Sequence, residues 1–261
     1  MSSVFALWSK ILRSRADVYV QLLLTIVAAA VVVVLFAIDA AARAGQGAGM
    51  LLLLAIVVVA AVVSFGYGAA LGALGEAARG DTSSGFWQRG YRLWGRTLGL
   101  FAVNLLVGIV LTFIILLILG ATGSLAGLSQ IASLGSLQAT GILVRLMGVF
   151  AIILVVLVFL VGPYMQAAQA IIYVDQVPVL IGFSQAFGEA YGRGRLGHWL
   201  LLLVITIALD LVASLIEAAL GTPGQLLGIL LSPAVLWLAT ALAFATYRSH
   251  QVPAASPEII V

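Results

Sequence analysis

An all-α bundle of six membrane spans is the fold this sequence predicts, on three observations. Only 8% of the 261 residues are charged and 64% are hydrophobic, whereas a soluble domain carries about 25% charged residues. The apolar residues form continuous runs of about twenty or more, not the alternating strands of about ten that build a membrane β-barrel. The basic residues sit in short blocks between those runs. In lipid every backbone N–H and C=O must be paired inside the chain, so helices are the default.

The apolar runs place spans at 17–39, 50–75, 97–120, 142–172, 198–220 and 226–247. Each can cross about 30 Å at about 1.5 Å per residue. The first run is too long for a signal-peptide core, so an uncleaved span is expected in spite of Ala40-Ala41-Ala42. The fourth is long and holds Pro163, which predicts a kink or an extension past the membrane. The segment 121–141 is uncharged and reads as an outer loop or a short helix on the outer leaflet. Gly221-Thr222-Pro223-Gly224 reads as a tight turn.

Charge sets the orientation. Lys10, Arg13, Arg15, Arg79, Arg89, Arg92, Arg96, Arg193, Arg195 and Arg248 all fall on one side of the six-span arrangement. Arg43 and Arg145 fall on the other. The positive-inside rule makes the first side cytoplasmic, with both termini inside a prokaryotic inner membrane.

Residues 66–96 align without a gap onto 163–193. Tyr67/Tyr164, Gly85/Gly182, Phe86/Phe183, Gln88/Gln185 and Arg96/Arg193 are among the matches. Each copy is a helix end, a polar break, an amphipathic stretch and a returning helix. This is either a partial parallel repeat or convergence on the same anchoring pattern. Phe5–Arg15 could supply a third amphipathic piece.

The two breaks predict cytoplasmic interfacial amphipathic helices. In Ser84–Arg96, Arg89, Arg92 and Arg96 share one face of a helical wheel and Trp87, Tyr91 and Trp94 the other. Rings in lipid and guanidinium groups toward phosphate would suit anionic lipids, with Arg193 and Arg195 adding charge in the second copy. A plain topology anchor would use the same residues. In the second copy Glu189 and Arg193 are spaced as an i,i+4 pair.

Polar groups inside the spans are the remaining candidates. Asp210 sits near the middle of the fifth run, where a carboxylate costs about 2.5–3.5 kcal/mol or more. Asn104, Tyr164, Gln166 and Gln169 are its expected partners. Asp210 then either hydrogen-bonds between helices as a neutral acid or carries protons. Glu217 and Arg145 have matching depths and are expected to pair. Gly68 and Gly72, in GxxxG spacing, predict close helix packing.

The sequence contains no cysteine and two histidines, His198 and His250. No phosphate loop, dinucleotide fingerprint or nucleophile elbow is present, so no enzyme, metal or cofactor is expected. Nucleic acid is not an expected partner either, because the basic residues flank spans. The stretch Tyr164 to Trp199, with Asp175, Pro178 and then GFSQAFGEAYGRGRLGHW, resembles a group of prokaryotic integral membrane proteins of unassigned function. That group includes the membrane domain attached to some glycerophosphoryl diester phosphodiesterases. The resemblance implies a six-span layout and no activity, since the phosphodiesterase chemistry belongs to a separate soluble barrel. The expected role is an accessory or scaffold subunit that packs against a membrane partner or lipids. The alternative is a small transporter or channel with Asp210 in a central cavity.

Overall fold

The computed structural model describes residues 2–42, 48–81, 84–121 and 136–251. Every regular element among them is a helix. In chain order these are α1 (Ser2–Ser14), α2 (Asp17–Ala42), α3 (Ala48–Arg79), α4 (Phe86–Ala121), α5 (Ser136–Val174), α6 (Val179–Tyr191), α7 (Leu196–Leu220) and α8 (Thr222–Gln251). All but α1 and α6 contain a segment long and apolar enough to cross a membrane: Asp17–Asp39, Leu53–Arg79, Phe86–Ala121, Met147–Val174, Leu196–Leu220 and Leu227–Gln251.

Two boundaries differ from expectation. Ser84–Arg96 is not a separate interfacial helix, because Phe86 onward runs without a break into the third span. Nothing stops it: the glycines near the junction, Gly90, Gly95 and Gly99, stay helical. The second amphipathic piece is separate, as α6, and ends where Gly192 and the positive-φ Gly194 (φ +77°) turn the chain. α5 continues through Pro163 for 39 residues, about 58 Å at 1.5 Å per residue. The expected outer loop lies mostly outside the described residues. The turn between α7 and α8 is tighter than the four residues suggested, with Gly221 at φ +60° linking Leu220 directly to Thr222.

The chain forms two compact units: residues 1–100 with 164–261, and residues 101–163. In the first, α2 packs along α3, α7 along α8, and α8 also meets α1, α2 and α3. Its core is built from small and aliphatic side chains, among them Ile11, Leu22, Leu74, Leu93, Ile171 and Ile172, with Trp199, Tyr173 and Phe244 filling the larger spaces. Trp8 ties α1 to α8 by donating Nε1–H to the Leu238 carbonyl at 3.1 Å. In the second unit the exposed residues are almost all apolar, such as Leu105, Ile109, Phe113, Leu117, Ile152 and Leu160, a composition suited to lipid.

The small residues of α3 do permit close packing. An added Cβ at Gly72 would strike the Leu93 side chain, and one at Gly75 would strike the Tyr173 carbonyl. Backbone cannot move aside as a flexible side chain can. Gly75→Val is therefore expected to lower the unfolding midpoint in detergent, by about 1–3 kcal/mol in stability. Gly108→Ala, with open space around it, is expected to cause no loss. Unfolding monitored by circular dichroism checks both.

Candidate functional site

Most charged side chains of the first unit, apart from Asp39, Asp210 and Glu217, gather at one end of the helices. Arg15 precedes α2, Glu76 and Arg79 close α3, Arg89 and Arg92 open α4, Asp175 and Gln176 follow α5, His198 opens α7 and His250 closes α8. Antiparallel neighbours bring all of these to the same end.

Glu76 is the centre of this belt and is only 2% exposed. Its carboxylate faces Arg15 Nη2 at 3.6 Å, Arg89 Nη1 at 3.5 Å and Arg92 Nη2 at 2.7 Å. Ser84 adds its hydroxyl at 2.5 Å and its backbone N–H at 3.3 Å. A buried carboxylate is tolerated only when its lone pairs are filled in this way. Arg89, also 2% exposed, donates in addition to the Ala69 carbonyl at 3.0 Å and to the Ser84 carbonyl.

The belt continues through Arg79, which donates to Asp81 at 2.5 Å and to the Tyr173 and Val174 carbonyls at the end of α5. Gln176 holds a left-handed backbone conformation, φ 54°, that non-glycine residues rarely adopt. With its amide oxygen turned to satisfy the network, it accepts from Arg79 at 2.8 Å and Arg92 at 3.3 Å. Asp175 accepts from Tyr247 and, at 3.3 Å, from Gln251 of α8. Glu189 accepts from Arg195 at 2.5 Å and meets His250 at 2.6 Å. A polar cleft of about 460 Å³, lined by Glu76, Arg79, Asp81, Ser84, Arg92, Asp175 and Gln176, opens beside the belt.

The basic face of α4 is thus turned differently from expectation. Arg89 points inward to Glu76 and not to a headgroup, and Arg92 is held by the same carboxylate. Arg96 is half-buried, with Nη1 buried and unbonded among the described residues. The opposite face is aromatic as predicted. Trp87, Tyr91 and Trp94 are 67%, 73% and 41% exposed. They cluster with Phe65 and Phe86, and Trp94 donates to Ser64 at 2.7 Å. These rings and Gln21, Thr25 and Gly66 line an open apolar groove of about 570 Å³. Arg193 is exposed; the partner of Glu189 is Arg195, not Arg193.

The intramembrane polar residues do not converge. Asp210 is exposed on α7, makes no hydrogen bond among the described residues, and is flanked by the exposed Leu211 and Val212. Tyr164 donates instead to the Phe183 carbonyl at 2.9 Å. Gln166 buries an unbonded Oε1, and Gln169 is half-buried. In the second unit Asn104 is exposed on an open groove with Gly108 and Thr112. The Glu217 carboxylate lies against Gly228, while the side chain of Arg145 is outside the described residues. Among the described residues no group of three or more His, Cys, Asp or Glu could hold a metal ion.

Comparisons with family models, characterised proteins and solved structures find no match to this chain.

The belt is saturated with internal partners, so its first consequence is structural. Glu76→Ala would strand Arg89 in the interior and is expected to cost about 3–5 kcal/mol. Asp81→Ala, which removes the half-exposed partner of Arg79, is expected to cost less than about 1 kcal/mol. Denaturant titration in mixed micelles separates the two.

Proposed function

We propose that this protein is a non-enzymatic multi-pass subunit of a prokaryotic inner membrane, with both termini cytoplasmic, that packs against a membrane partner. The observation that carries this reading is Asp210, exposed near the middle of α7 among exposed leucine, isoleucine and valine side chains. A carboxyl group facing acyl chains without a hydrogen-bond partner is costly, even when neutral. A polar group from a neighbouring helix outside this chain would relieve that cost. Most of α7 supports the same reading, since Val204, Ile207, Leu211, Val212 and Leu215 are also exposed.

The belt supports a non-enzymatic role because Glu76, Asp175 and Glu189 are each occupied by fixed donors. Transport through a central cavity at Asp210 draws no support from an exposed Asp210. Exposed Arg193 and the Trp87–Tyr91 face suit anionic lipid at the cytoplasmic boundary.

Extraction in lipid-retaining polymer discs followed by native mass spectrometry tests the reading. A stoichiometric protein partner is expected with the wild-type chain. Asp210→Leu is expected to lose it while keeping the same unfolding midpoint. Monomer with lipid alone in both samples would overturn the proposal.

A further inference from the structure

The two histidines of the chain meet at the charged end of the first unit. His198 lies in the first turn of α7 and His250 in the last turn of α8. His198 Nδ1 is 2.9 Å from His250 Nε2, and the rings stack with centroids 5.1 Å apart at 25°. On its other side His250 Nδ1 is 2.6 Å from Glu189 Oε1 of α6, and Arg195 holds the second carboxylate oxygen at 2.5 Å. Buried Trp199 sets its ring against His250 at 6.3 Å.

This pattern assigns the protons. An ionised Glu189 can only accept, so His250 carries hydrogen on Nδ1. A neutral His250 must then accept at Nε2, and His198 must donate from Nδ1. Both rings hold the Nδ1–H tautomer when neutral. One added proton fits: it goes to His250 Nε2, and His198 moves its own hydrogen to Nε2 so that Nδ1 can accept. The first proton also turns the His250–Glu189 hydrogen bond into an ion pair. A second proton does not fit, because two N–H groups and two positive charges would then oppose each other across the 2.9 Å contact.

We propose that Glu189, His250 and His198 form a two-stage proton-sensitive clasp joining α6, α7 and α8, tightened by one proton and opened by a second. The surrounding charges favour this order. Glu189, already bonded to His250 Nδ1, gains an ion pair from the first proton. Arg195 stands on Glu189 and opposes the second. α1 faces His198 with the apolar Val4 and Phe5, which offer no partner to a second charge. Opening would release α6, whose buried side is otherwise only Gly182, Phe183, Ala186 and Ala190. Acidification of the cytoplasm would thereby loosen one surface helix while the Glu76 belt stays intact.

Two histidines make the test direct. The ¹⁵N-histidine-labelled full chain, purified without a polyhistidine tag and placed in lipid nanodiscs, is titrated from pH 8 to pH 4. Both rings are expected as Nδ1–H tautomers at pH 8. Two protonation steps are expected, separated by about one pH unit or more, with His198 changing tautomer in the first. Amide exchange over Val179–Tyr191 is expected to rise about tenfold only across the second step. In His198→Phe that rise should vanish. Rings that titrate together near the ordinary value of about 6.5 would overturn the clasp. So would an Nε2–H tautomer on His198 at pH 8, an α6 that does not respond to the second proton, or an acid response that survives in His198→Phe.

Discussion

The buried ion pairing of Glu76 is the constraint on which the rest of this architecture depends. Its carboxylate sits at the closing end of α3 and is reached by Arg15 from the α1–α2 link and by Arg89 and Arg92 from the opening turns of α4. Three helical elements are fixed relative to one another by one acidic group. Desolvating such charges costs several kcal/mol per ion unless each lone pair and each donor is matched. Here Ser84 and the Ala69 carbonyl complete the match. Removing any one member leaves another stranded, so the arrangement specifies a single packing of helices whose apolar contacts alone would discriminate poorly between alternatives.

The remainder of the molecule has the opposite character. Beyond the belt, the helices meet through small residues at the closest approaches, with a few large side chains filling the remaining core, and carry aliphatic residues outward. Lipid gives no hydrophobic drive for helices to associate, so close van der Waals approach and a few polar contacts must hold them. Gly75 against the Tyr173 backbone and the Thr97–Tyr173 hydrogen bond at 2.7 Å are such contacts. Asp210 is an acidic group on the outside, and an exterior acid in a membrane protein calls for something to meet it.

The spans were legible in the sequence because length and apolarity are local properties. The aromatic face of Trp87, Tyr91 and Trp94 was legible too, because a helical wheel needs only neighbouring residues. The belt was not. Several of its links join residues far apart in the chain, 52 positions for His198–His250, 61 for Glu189–His250 and 95 for Arg79–Val174, and no periodicity reveals them. Glu76 was overlooked because a single acid near a span end reads as a solvated cap. The one available signal is that it is the only acid in α3 and lies in sequence between two groups of arginine, Arg13 and Arg15 before it and Arg79 to Arg96 after it. For the same reason the sequence alone points the arginine face of α4 toward lipid headgroups, whereas Arg89 and Arg92 turn to Glu76. A wheel says which residues share a face but not what that face meets.

Whether the belt faces the cytoplasm is the point on which orientation, proton access and partner geometry all turn. The chain has no native cysteine, so single cysteines report sidedness cleanly. Arg193→Cys, in the exposed link before α7, and Pro223→Cys, exposed at the start of α8, would be labelled in intact spheroplasts with a membrane-impermeant maleimide. The account predicts labelling of Pro223→Cys from outside and protection of Arg193→Cys until the membrane is opened. The reverse pattern, or equal labelling of both, would contradict it.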